Sequence, residues 1–89
     1  MSIFVLFRVT DPQKVKLALS LNFPDDHLEV DIGQFLVSSN LSAESISEKL
    51  GITGGANGNA IVFAMGSYYG RASTNIWDWI KAKAEKADG

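Results

Sequence analysis

The hydrophobic pattern at the start of the chain predicts a strand that is buried on both faces. Residues 3–9 are rich in β-branched and aromatic side chains, which strands favour. Alternation along a strand gives two mainly apolar faces, with Ile3, Val5, Phe7 and Val9 on one and Phe4, Leu6 and Arg8 on the other. Such a strand is typical of the centre of a sheet that is covered on both sides.

The next segment predicts a helix. Asp11 supplies a helix cap and Pro12 a first-turn proline. The helix ends at Phe23, because a residue that precedes a proline, here Pro24, disfavours the helical conformation. Its apolar stripe is expected to contain Val15, Ala18, Leu19 and Asn22, widened by Leu17 and Leu21.

A hairpin is predicted after this helix. Residues 27–32 alternate, with Leu28, Val30 and Ile32 on one side and His27, Glu29 and Asp31 on the other. This alternation predicts a half-buried strand at the edge of a sheet. Gly33 provides the turn, and residues 34–38 return as the partner strand.

The second half of the chain repeats a helix and a strand. Ser42 caps a short helix whose buried side is formed by Ile46 and Leu50, with Gly51 just beyond its end. A glycine-rich loop then leads to a strand over residues 60–65, which is apolar on both faces. Finally, a cap at Ser73 begins a helix that runs to about residue 86, with Ile76, Trp77, Ile80 and Ala84 on one side.

The element order β-α-β-β-α-β-α predicts the α+β class, as a ferredoxin-like βαββαβ sandwich with an additional C-terminal α-helix. We expect residues 1–89 to form a single domain. Right-handed crossovers place the first and third strands in the centre and the fourth at an edge. Because the fourth strand is apolar on both faces, it needs a cover. Either the C-terminal helix or a second subunit could provide it.

Composition narrows the classes of function. The formal net charge is −2, from eight Lys and Arg and ten Asp and Glu. This balance argues against a broad nucleic-acid or membrane surface, although a local basic patch stays open. The chain has no cysteine, so thiol catalysis and disulfides are excluded. The apolar start is interrupted by Arg8 and lacks the features of a signal peptide, so we expect a cytoplasmic protein. The sequence has no metal-ligand spacing and no nucleotide-binding fingerprint, so we expect no cofactor.

Two segments contain residues that could bind a metal or a phosphate, but in each case a structural role explains the same residues. The group Asp25, Asp26, His27, Glu29 and Asp31 contains oxygen and imidazole ligands for metals. Strand alternation spreads these groups over a solvated face, however, and an acidic edge strand that discourages pairing is the favoured interpretation. The loop over residues 51–59 resembles a phosphate cradle, but it precedes a strand and lacks a P-loop lysine. We interpret its glycines as positions of positive φ.

The candidate binding residues are Tyr68, Tyr69, Arg71, Trp79 and Arg8. The first three lie in a connection between the last strand and the last helix, and tyrosine and arginine dominate interface hot spots. Such a segment could also stack on bases and contact a phosphate. The alternative is that the tyrosines pack between helix and sheet. Trp79 marks a partner surface if exposed, or packs against the sheet. Arg8 binds a partner, or extends to solvent from the strand end.

One short motif suggests a family. The segment Ser39-Asn40-Leu41-Ser42-Ala43-Glu44 follows a strand and opens a helix, and residues 7–11 and 60–65 fit the same scheme. It resembles small ferredoxin-like proteins of the CRISPR-associated endonuclease-subunit type and their SinR-like relatives. The resemblance implies a ferredoxin-like fold and a homodimer. In the family's nucleases an aspartate at the end of the first strand binds a metal, whereas this chain has Arg8 there, and a cation would repel a metal.

Two functions follow from these observations. The first is a non-catalytic interaction module, homodimeric and binding a protein or nucleic-acid partner through residues 68–71 and the last helix. The second, implied by the resemblance alone, is a metal-dependent nuclease. Small-molecule binding between helix and sheet is neither supported nor excluded by any residue pattern.

Overall fold

The computed structural model describes residues 2–66, 70–71 and 73–88, with side chains up to residue 83 in the last helix. It contains four strands and three helices. In chain order they are β1 (Ser2–Phe7), α1 (Pro12–Asn22), β2 (His27–Asp31), β3 (Gln34–Ser39), α2 (Ala43–Lys49), β4 (Ile61–Ala64) and α3 (Thr74–Asp88). No helix in the described part of the chain is both long and apolar enough to cross a membrane.

The strands form one antiparallel sheet in the order β2-β3-β1-β4. β1 and β3 are therefore central, and β2 and β4 are the two edges. This arrangement confirms the predicted ferredoxin-like βαββαβ fold with an additional C-terminal helix. The fold places the end of β1 beside the start of β4, and this proximity determines the candidate site described below.

The main core lies between the sheet and helices α1 and α2. Strands β1 and β3 contribute Phe4, Leu6, Phe35 and Val37, and the helices contribute Val15, Leu19 and Ile46. Most of these side chains are fully buried, and each contributes about 1.5–3 kcal/mol of transfer free energy. The side-chain caps predicted for α1 and α2 are confirmed. Asp11 accepts from the amide of Lys14 at 3.4 Å, and Ser42 from that of Ser45 at 3.1 Å.

Helix α3 covers much of the opposite face of the sheet. Ile80 is buried there against Ile3 and Leu36. At the far end of the contact, Nζ of Lys83 donates to Oδ1 of Asp26 at 2.8 Å and to the carbonyl oxygen of Asp25 at 2.9 Å. The sequence leaves two covers open for the apolar fourth strand, the C-terminal helix and a second subunit. The C-terminal helix occupies this face of the sheet, but it lies mainly over β1, β3 and β2.

The first strand is shorter than predicted. It ends at Phe7 instead of Val9, because Arg8 adopts a φ of 56° and interrupts the alternation. Val9 consequently joins the core beneath α1 and α2, not the face of Ile3 and Val5 as predicted. Its amide donates to the carbonyl oxygen of Gly33 at 3.1 Å, which ties the end of β1 to the β2–β3 turn.

Three apolar side chains predicted to face the core are instead exposed. Leu17 and Leu21 are 66% and 82% exposed, so the buried stripe of α1 is narrower than the sequence pattern suggests. Ile32 is 85% exposed because it lies in the turn, and the register of β2 against β3 shifts between Glu29 and Asp31. The strand alternation that would direct Ile32 inward therefore ends before this residue.

Replacing Ile80 with alanine is expected to lower the free energy of unfolding by about 2–5 kcal/mol, because it leaves a cavity between α3 and the sheet. Urea unfolding followed by circular dichroism measures this loss. The control is Lys81→Ala, which truncates an exposed side chain on the same helix and should change stability by less than about 0.5 kcal/mol. Equal effects of the two substitutions would show that α3 is not packed through Ile80.

Candidate functional site

The edge strand β4 carries an exposed apolar surface. Its register with β1 pairs Phe7 with Ile61 and Val5 with Phe63. Directly opposite residues of an antiparallel pair share a face of the sheet, so these side chains lie on the face that carries α3. Within the described part of the chain, the cluster that joins α3 to the sheet includes Val5 but not the other three. Phe7, Ile61 and Phe63 are consequently 38%, 54% and 45% exposed.

The backbone of β4 has hydrogen-bonding groups that point away from the sheet. The amide of Met65 donates to the carbonyl oxygen of Ile3 at 2.8 Å, across the β1–β4 register. Because hydrogen bonding alternates along an antiparallel pair, Ile61 and Phe63 also face β1, whereas Val62 and Ala64 face outward. No other strand among the described residues pairs with this side of β4. We call Phe7, Ile61, Phe63 and this outer backbone edge the β4 surface.

The opposite edge of the sheet is protected. β2 carries His27, Glu29 and Asp31, and its register is irregular after Glu29. Glu29 also forms an ion pair with Lys16 of α1 at 3.4 Å. Charges and irregularities of this kind discourage pairing with another chain. β4 has no charged residue, since none occurs between Lys49 and Arg71, and its register with β1 is regular.

Arg8 lies at the margin of the β4 surface. It directly follows Phe7, is exposed, and has no carboxylate within ion-pair distance in the described part of the chain. Its φ of 56° is in the left-handed region, which costs a non-glycine residue on the order of 1–2 kcal/mol. The strand-to-helix connection therefore holds a cation beside three apolar side chains.

The other candidate binding residues fall in different places. Tyr68 and Tyr69 lie outside the described residues. Arg71 is exposed. Trp79 is partly buried in the cluster that joins α3 to the sheet, and Nζ of Lys83 lies 6.0 Å from the centre of its ring. Arg8, which directly follows Phe7, thus lies next to the β4 surface.

The acidic group around β2 is dispersed. Asp26 binds Lys83, Glu29 binds Lys16, and Asp31 accepts from the amide of Ile32 at 2.8 Å. Nδ1 of His27 lies 2.6 Å from the carbonyl oxygen of Phe23. Within the described ranges, no three His, Asp or Glu side chains come together as a metal site would require.

The glycine-rich loop packs against the connection between β1 and α1. Nδ2 of Asn57 donates to the carbonyl oxygen of Leu50 at 2.7 Å, and the backbone amide of Asn59 donates to Oγ1 of Thr10 at 2.8 Å. Of the four glycines in the loop, Gly51, Gly55 and Gly58 have positive φ, as predicted, whereas Gly54 does not. At Gly58 a Cβ atom would also lie only 2.6 Å from Oγ1 of Thr10. These contacts give the glycines a structural role.

A second surface feature is an open groove of about 690 Å³ between α1 and the β2–β3 turn. Leu17 and Ile32 provide its apolar lining, and the Lys16–Glu29 ion pair lies within it. The two charged groups of the groove are already paired with each other, so neither is left unpaired to orient a ligand.

Comparison with protein-family models, with curated proteins and with solved structures finds no match to this chain.

Phe7, Ile61 and Phe63 are not among the binding residues that the sequence predicts. The sequence does contain a signal for the two residues of β4, because the predicted topology places an apolar strand at an edge and requires a cover for it. The C-terminal helix and a second subunit are the two covers that it leaves open for the strand as a whole. The structure shows that α3 protects one part of this face and leaves these three residues exposed.

Substitutions at Arg8 test the role of its backbone conformation. Arg8→Gly is expected to raise the free energy of unfolding by up to about 1 kcal/mol, because glycine adopts positive φ without a steric penalty. Arg8→Val should lower it by about 1–3 kcal/mol, since a β-branched residue is strained there. Urea unfolding of both variants measures the difference. Equal destabilisation by the two substitutions would contradict a backbone origin and indicate that contacts of the arginine side chain dominate.

Proposed function

We propose that this domain is a non-catalytic interaction module that binds another protein through the β4 surface. The observation that supports this proposal is the coincidence of three exposed large apolar side chains with an unpaired strand edge that carries no charge. Apolar surface of this kind is favourable to bury, and contiguous patches mark interaction sites.

The backbone edge adds a requirement on the shape of the partner. A strand that presents outward amides and carbonyl oxygens at Val62 and Ala64 binds an extended segment by adding it to the sheet. Main-chain hydrogen bonds then supply part of the affinity, while Ile61 and Phe63 contact the side chains of the added strand. Arg8, at the margin, suits an acidic or polar group at the periphery of the contact.

A photo-crosslinking experiment in cells tests this proposal. Phe63 is replaced by p-benzoylphenylalanine, which keeps an aromatic side chain, and protein adducts are identified by mass spectrometry after irradiation. The matched control carries the same residue in place of Leu21, an apolar side chain that is more exposed than Phe63 but lies on α1. Discrete protein adducts are expected from position 63 and not from position 21, and Ile61→Lys in the same chain should remove them.

Four outcomes would contradict the proposal. One is the absence of adducts at position 63, and another is an equal yield at position 21. The third concerns the alternative suggested by the family resemblance. If purified protein cleaves labelled DNA or RNA and a chelator abolishes the cleavage, the domain is a metal-dependent nuclease. Adducts that are removed by nuclease treatment would likewise identify a nucleic acid as the partner.

A further inference from the structure

We infer that the partner at the β4 surface is a second copy of this chain, whose β4 pairs antiparallel with β4 of the first about a two-fold axis. The two four-stranded sheets would then form one continuous sheet of eight strands. This inference rests on the proposed function, for which it names the partner and the geometry of binding.

The difference between the two edges of the sheet supports self-association through β4. Pairing β4 with β2 of another copy would place an uncharged strand beside Glu29 and Asp31, and repetition of that contact would generate an open filament. Pairing β4 with β4 brings two uncharged strands together. It also closes the assembly, because among the described strands the edges that remain free are then the two protected β2 strands.

The hydrogen-bonding pattern restricts the register of such a pair. Outward-facing groups of one copy must meet outward-facing groups of the other, and these belong to Val62 and Ala64. The two-fold axis therefore passes beside Val62 or beside Phe63. In the first register Ile61 lies opposite Phe63 of the second copy, and in the second the two Phe63 residues oppose each other. Both registers place apolar side chains against apolar side chains, which stabilises a cross-strand pair.

The size of the contact indicates a reversible dimer. The seam consists of one four-residue strand and three partly exposed side chains from each copy. We expect a seam of this extent to bury less than the roughly 800 Å² per partner that is typical of stable interfaces. We therefore expect a dissociation constant on the order of micromolar, so that monomer and dimer coexist over an accessible concentration range.

Sedimentation velocity over a concentration series tests dimerisation. The wild-type protein should shift from monomer to dimer as concentration rises. Ile61→Lys and Phe63→Lys should remain monomeric at every concentration, because they place like charges in the seam. The matched controls, Leu21→Lys and Ile32→Lys, introduce the same charge at more exposed apolar positions on other surfaces and should dimerise like the wild type. Circular dichroism verifies that each variant is folded.

Amide hydrogen exchange tests the geometry of the dimer. The amide of Val62 faces outward, so its protection should increase as the dimer forms. Glu29 is the control. The amide of Ser38 donates to the carbonyl oxygen of Asp26, so alternation directs the amide of Glu29 outward from the β2 edge, where its exchange should not depend on concentration.

The other possible results reject the dimer, its β4 seam or the proposed function. A wild-type monomer at all concentrations that still crosslinks to a different protein through position 63 rejects self-pairing and retains the proposed function. A monomer without adducts rejects both. A dimer that persists in Ile61→Lys and Phe63→Lys, or one in which exchange at Val62 does not change, rejects the β4 seam.

Discussion

Burial of β1 on both faces is the constraint on which the rest of the structure depends. Phe4 and Leu6 must be covered on one side of the sheet, and Ile3 and Val5 on the other. Helices α1 and α2 cover the first side as part of the βαββαβ unit. That unit contains no further helix for the second side, so α3 is required there. The C-terminal helix is therefore a part of the core and not an appendage to it.

Much of this architecture could be predicted because local signals and chain topology agree. The caps at Asp11 and Ser42, the turn at Gly33 and the alternation of apolar residues give the order of elements, and crossover handedness then gives the order of strands. The errors arise where tertiary geometry overrides local pattern. Nothing in the residues around Arg8 indicates positive φ, which changes the side to which Val9 points. The exposure of Leu17 and Leu21 likewise depends on how α1 is rotated over the sheet.

The candidate site was harder to predict because it is defined by what α3 leaves uncovered. Sequence composition drew attention to tyrosine, arginine and tryptophan, which are frequent in interfaces. An exposed phenylalanine and a buried one, however, occupy equivalent positions in a strand pattern. Phe4 is buried and Phe63 is 45% exposed, although both belong to strands that are apolar on both faces. Phe4 lies on the face that α1 and α2 cover, whereas Phe63 lies at the edge of the face that α3 covers only in part. How far α3 extends over that edge does not follow from periodicity.

The position of α3 in the chain has a consequence for synthesis on the ribosome. All four strands precede this helix, so the sheet can assemble before its second cover has emerged. During that interval Ile3, Leu36 and Leu28 would face solvent or molecular chaperones instead of Ile80. The β4 edge would be unprotected at the same time. The nascent chain is therefore most prone to aggregate after β4 has left the ribosomal exit tunnel and before α3 has followed it, and slower emergence of α3 would extend this vulnerable period.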